Sequence, residues 1–111
     1  MRKASQHSVV FVTAPGWQVA RRLARAALKA RLAACASLAP GVESHYWWLG
    51  KIEHGREVLI IFKTTRRQLG ALEKLILEKH PYDTPEFLVL PVQAGAERYL
   101  DWVTASVRKA Q

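Results

Sequence analysis

SHYWWLGKIEHGREVLIIFKTT, residues 44–65, holds two strand-forming runs with no helical segment between them. SHYWWL is dense in aromatics and VLIIFKTT in β-branched and aromatic side chains, which suit a pleated, half-buried surface. Between them GKIEHGRE carries two glycines five residues apart among charged side chains, a pattern that predicts a hairpin turn and an antiparallel return. Strand follows strand in the middle of the chain, and the segments on either side decide the fold.

Upstream, SVVFVTA reads as a short strand that Pro15-Gly16 breaks before WQVARRLARAALKARL. At 100° per residue, Val19, Ala20, Leu23, Ala26, Ala27 and Ala30 share one face of that segment, and Arg21, Arg22, Arg25 and Lys29 share the opposite one. From Ala33 a long strand runs into SHYWWL, bent or bulged at Pro40-Gly41. Downstream, RRQLGALEKLILEKH is helical in spacing, weakened by about 1 kcal/mol at Gly70 relative to alanine. Pro81 ends it, FLVLPV is a fourth strand, and AERYLDWVTASVRK is a closing amphipathic helix.

The resulting order, β-α-β-β-α-β plus a C-terminal helix, predicts an α+β, ferredoxin-like sandwich with two helices on one face of a four-stranded sheet. A sheet with one wet face should alternate apolar and polar residues, yet VVFV, VLIIF and FLVL are apolar at nearly every position. The second face therefore needs a cover larger than one terminal helix, and further copies of the same chain in a closed ring supply it.

At 111 residues the chain has room for one core, read as a single domain over residues 8–111 behind a flexible tail at residues 1–7. Its apolar runs are too short to span a bilayer, and no export signal or membrane partner is expected. The single cysteine, Cys35, cannot form an internal disulfide, which points to a reducing cytoplasm. Of the net charge of +8, +7 lies in the first 42 residues, which contain no acid. That asymmetry raises a nucleic-acid partner as a third reading, resting on Arg21, Arg22, Arg25 and Lys29. RNA-binding sheets of this topology display aromatics on open central strands with a K/R-G-F-type motif, and these strands look built for burial, so nucleic acid is not the expected partner.

No G-x-S-x-G elbow, phosphate loop, C-x-x-C or H-x-x-x-H pattern occurs, so neither a catalytic pair nor a required cofactor is expected. HPYDTPEF, residues 80–87, has two readings. It is a stiff turn in which Pro81 stops a helix and Pro85 fixes the entry to a strand, or a rigid loop presenting His80, Tyr82 and Glu86 to a ligand. His7 and His54 are expected in solvated tail and turn positions, and His45 could face either way.

Taken together, RLAACASLAPGVESHYWWLGKIE, EVLIIFKTT, HPYDTPEFLVLPV and YLDWV resemble the CutA family of divalent-cation tolerance proteins, in order and at family spacing from about Ser8 to Arg108. The resemblance implies a stable homotrimer with a cleft between subunits, a non-enzymatic part in the response to divalent metal ions, and copper as a candidate ligand. Copper-binding members have a cysteine before the Thr-Ala-Pro of the first strand and two histidines before Pro-Tyr; here those positions hold Val12, Lys79 and His80. The metal candidates are therefore His80 and Glu86, and Tyr46, Lys51, Glu57, Lys63 and Tyr82 are candidates for the cleft wall. The trimer also resembles PII signalling proteins, which implies an alternative: a sensor holding a small anion through Lys51 and Lys63.

Overall fold

The computed structural model describes residues 1–108. Its elements are β1 (Arg2–Lys3), β2 (His7–Ala14), α1 (Trp17–Lys29), β3 (Cys35–Trp48), β4 (Lys51–Thr65), a 3-10 turn at Arg66–Gln68, α2 (Leu69–Lys79), β5 (Leu88–Pro91), β6 (Ala94–Gly95) and α3 (Glu97–Ser106). The main sheet has the order β3-β4-β2-β5, antiparallel throughout, as the ferredoxin-like reading requires. The closing helix was expected to reach Lys109, which lies outside the described residues, and it ends at Ser106.

Alternation along the strands sets the core. Val10, Val12 and Ala14 of β2 and Val58, Ile60 and Phe62 of β4 point to one face and are buried with Leu23, Leu72 and Ile76. Register partners Val10–Phe62 and Val12–Ile60 sit side by side there. Each large side chain so buried contributes about 1.5–3 kcal/mol. On α1 the buried positions are Ala20, Leu23, Ala24 and Ala27, so the arginine stripe faces outward as the helical period requires.

The end of α1 is closed by backbone bonds from Arg31 N–H to the Leu28 carbonyl (3.0 Å) and Leu32 N–H to the Ala27 carbonyl (3.0 Å). This is a Schellman cap, and Arg31 takes the left-handed residue's place at φ 59°. The helix therefore stops at Lys29, short of the Leu32 that its apolar spacing suggests.

The centre of the chain departs from expectation in one respect. The turn between β3 and β4 is the two-residue Leu49-Gly50, with φ of 50° and 80°, and not the GKIEHGRE stretch. Positive φ at both central residues is what a type I′ hairpin needs to match the twist of its strands. KIEHGRE is strand, and His54 stands in it opposite His45. One extra residue on β3 between Ala39 and Val42, with Gly41 at φ 75°, forms the expected bulge. Beyond the bulge the β3–β4 hairpin is mostly exposed, and the molecule is elongated, 44 × 26 × 22 Å.

Residues 2–7 are docked where a loose tail was expected. Arg2 and Lys3 pair with Gly95 and Ala94, Ala4 is buried, and the amide of Ala4 donates to the Gln93 carbonyl at 3.0 Å. His7, expected in solvent, is buried, with its Nε2 3.0 Å from both the Leu100 carbonyl and Thr104 Oγ1. The tail is held by its pairing with β6 and by the His7 ring, which meets α3 at Leu100 and Thr104.

On the sheet face away from the core, Val9, Phe11, Leu59 and Ile61 are half-buried, and Leu88, Val89 and Leu90 of the edge strand are exposed. An apolar edge of this kind is an invitation to pairing.

Candidate functional site

Where the hairpin arm leaves the body, it runs past the turn that follows α2. A cleft of about 610 Å³ lies between them, lined by Thr13, Tyr46, Trp48, Glu57, Tyr82 and Glu86 together with Ser44, His45, Trp47, Asp83 and Thr84. Tyr46, Glu57, Tyr82 and Glu86 are thus brought together on one cleft within the chain. Asp83 and Thr84 lie in the bend after α2, with the Thr84 hydroxyl donating to Asp83 Oδ2 at 3.4 Å.

The Tyr82 hydroxyl donates to Glu57 Oε2 at 2.9 Å. Burial, followed by the bond to Glu57 and that carboxylate's charge, pushes the Tyr82 phenol up to about 12, so it remains a donor at physiological pH. Glu86 is half-buried, and burial, aided by the charge of Glu57, raises its carboxyl above the ordinary glutamate range. A carboxyl whose ionisation is opposed by burial and by a neighbouring negative charge is a setting that a bound cation relieves.

A raised acid lowers stability once the pH passes its unfolded value, because the unfolded chain then releases the proton more readily than the folded one. Glu86→Gln should therefore raise the thermal midpoint at pH 7 by the equivalent of about 0.5 kcal/mol, a figure discounted for solvent screening. The gain should vanish below the ordinary glutamate range, where Glu86 is protonated in both states. A midpoint at pH 7 equal to or below wild type would show that the raised carboxyl has no energetic weight.

His80 stands behind the cleft and is only 7% exposed. Its Nε2 is 2.7 Å from the Thr13 carbonyl, and its Nδ1 accepts the Tyr82 amide at 3.1 Å. A carbonyl only accepts, so Nε2 carries the hydrogen and Nδ1 the lone pair. Both ring nitrogens are committed to backbone, which corrects the expectation of His80 as a metal ligand: a metal would have to break both bonds. Among the described residues no three histidine, cysteine or acidic side chains converge as a ready-made metal centre.

Lys51 and Lys63 are not brought together within the chain. They lie at opposite ends of β4, twelve residues and roughly 40 Å apart at the rise of an extended strand. Lys51 is beside the hairpin turn, whereas Lys63 donates to Ser37 Oγ at 2.5 Å and sits 3.6 Å from Cys35 Sγ. No lysine or arginine is among the described residues that line the cleft. The basic stripe of α1 lies elsewhere, with Arg21 stacked 4.9 Å from the centre of the Trp17 ring.

Sequence reasoning missed His45, Trp47 and Thr13 as cleft residues. The signal for His45 was present in its place within SHYWW, but its facing depends on the bulge, which shifts the alternation by one.

The pattern of the CutA1 divalent ion tolerance protein family matches residues 8–106. A divalent-cation tolerance protein CutA of Escherichia coli (strain K12 / DH10B) is 49% identical over 100 residues, spanning 90% of this chain and 89% of its own. The chloroplastic protein CutA 1 of Oryza sativa subsp. japonica is 41% identical over 102 residues, 92% of this chain; the chain spans 58% of that relative's length. Among solved structures, CutA1 from Oryza sativa superposes with a TM-score of 0.92 at 39% identity, covering 97% of this chain and 98% of that one. The periplasmic divalent cation tolerance protein CutA of Archaeoglobus fulgidus superposes with a TM-score of 0.89 at 33% identity, covering 92% and 99%.

These relatives overturn the cytoplasmic expectation. One is chloroplastic and another periplasmic, so this fold serves in several compartments. A lone cysteine is compatible with all of them, which is why it could not specify one. No helix among the described residues is long and apolar enough to cross a membrane.

Proposed function

This chain belongs to the CutA1 divalent ion tolerance protein family, and from that membership we propose that it acts in tolerance of divalent metal ions, without catalysing a reaction and without a required cofactor. The observation that carries this reading is the cleft itself: Glu57, Glu86 and Asp83 line it, and no cationic side chain does among the described residues. An acidic cleft attracts a cation and repels an anion. That distribution favours weak contact with a divalent ion such as Cu²⁺ through Glu57 and Glu86, with Tyr82 fixing the orientation of Glu57. Carboxylate oxygens alone give modest affinity for copper, which suits a response to excess ion.

The working form in this reading is a homotrimer. Its support is the amount of apolar surface one chain leaves open: Tyr46, Trp47, Trp48, Leu49 and Ile52 on the arm, and Leu88, Val89 and Leu90 on the edge strand. Patches of this size on a soluble chain mark contact surfaces.

A strain lacking the gene, grown across a graded copper series, is expected to arrest at a lower concentration than its parent and to recover when the gene is restored. Growth indistinguishable from the parent across copper, zinc and cobalt would remove the tolerance reading.

A further inference from the structure

His45 and His54 are direct register partners on the hairpin arm, so their side chains leave the same face of the sheet opposite one another. Their rings stack with centroids 5.6 Å apart and 26° between planes. Glu43 precedes His45 by two residues, projects to the same face, and places Oε2 2.8 Å from His45 Nε2. None of the three has a core to serve: the Glu43 and His45 side chains are 65% and 58% exposed, and His54 is exposed.

We propose that Glu43, His45 and His54 form a surface site for a divalent transition-metal ion, with two imidazole nitrogens and one carboxylate oxygen as ligands. The placement deepens the metal-tolerance reading, and rests on it for its biological meaning. Residues directly opposite in an antiparallel pair have Cβ atoms about 4.5–5.5 Å apart. Two imidazoles at that separation can meet one ion at metal–nitrogen distances of about 2.0–2.1 Å.

In the ligand-free arrangement the three do not converge on one point. The ion closes the gap by rotating the two exposed rings, and Glu43 exchanges its bond to His45 for a bond to the metal. The remaining positions are open to water. Arg56 stands across from Glu43 and is the cation on this face, so it holds the affinity below that of a buried centre. Nitrogen-rich ligation ranks Cu²⁺ above Ni²⁺ and Zn²⁺ and excludes Mg²⁺ and Ca²⁺, which prefer oxygen. His80, by contrast, has no free nitrogen.

The test is electron paramagnetic resonance of the full chain titrated with Cu²⁺, comparing wild type, His45→Ala, His54→Ala, Glu43→Gln and the double histidine variant. Wild type should show coupling to two imidazole nitrogens, and each single histidine variant coupling to one, with Kd raised at least about tenfold. The double variant should lose the signal of this site, and Glu43→Gln should keep both nitrogens at weaker affinity. Two-nitrogen coupling that persists in the double variant, or no copper-bound spectrum for wild type, would overturn the site. Either result leaves the growth experiment to decide the tolerance reading, and unaltered growth of the deletion strain would leave these spectra unchanged.

Discussion

Replacing His80 by alanine is expected to lower the unfolding free energy by about 2–4 kcal/mol while leaving divalent-cation binding at its wild-type strength. The ring bolts two elements together: Nε2–H donates to the Thr13 carbonyl near the end of β2, and Nδ1 accepts the Tyr82 amide just after α2. Alanine removes both bonds and leaves a carbonyl and an amide in a part-buried position without partners, at about 1–3 kcal/mol each. It also leaves a cavity where a ring 7% exposed had been packed. Urea unfolding would read the loss as a lower midpoint at unchanged slope. Calorimetric titration with Cu²⁺ on the same variant would read the binding. A midpoint equal to wild type together with lost copper heat would restore His80 as a ligand and remove its structural role.

That expectation bears on the three-ligand copper pattern that the family resemblance implies. Of the three positions, Val12 is buried in the core, Lys79 carries a cation, and the remaining histidine is occupied by backbone. The acidic cleft and the arm's histidine pair, by contrast, present carboxylates and imidazoles that are not tied to backbone in this way.

The main sheet and the two core-facing helices were legible in the sequence because each rests on a strong local period. Ala20, Leu23 and Ala27 repeat at helical spacing, and Val10, Val12 and Ala14 alternate. The hairpin turn was not legible in the same way. Leu49 takes a positive φ that a leucine rarely adopts, so nothing in its chemistry announces a turn. The charged KIEHGRE looks like loop because the arm faces solvent, and exposed strands carry polar residues for that reason.

His80 illustrates a different gap. Its residue type and its position before Pro81 were equally consistent with a ligand and with a buried fastener. Only the approach of Thr13, 67 residues away in sequence, separates the two. Long-range contacts of that kind leave no local trace. The docking of residues 2–7 was hidden likewise, since it depends on Gly95 and Leu100 at the far end of the chain.

Changing Trp47 to Glu together with Ile52 to Lys is expected to convert the proposed homotrimer to single chains of 12.5 kDa by sedimentation equilibrium at micromolar concentration. Trp47 and Ile52 are register partners, 72% and 66% exposed, and together they form the most open apolar pair of the arm. Large apolar anchors at the centre of an interface are worth about 2 kcal/mol or more each. A closed ring repeats every contact, so the loss recurs at each boundary between copies. The introduced glutamate and lysine face one another across the strands and attract, which keeps the hairpin paired while removing its apolar surface. Far-ultraviolet circular dichroism should therefore match wild type, and a changed spectrum would assign the effect to a broken arm. A wild-type mass of one chain would end the homotrimer proposal outright. A variant that keeps the multimeric mass would move the interface off this face of the arm, leaving Tyr46 and Trp48 on the opposite face, with the β5 edge, to hold the copies together.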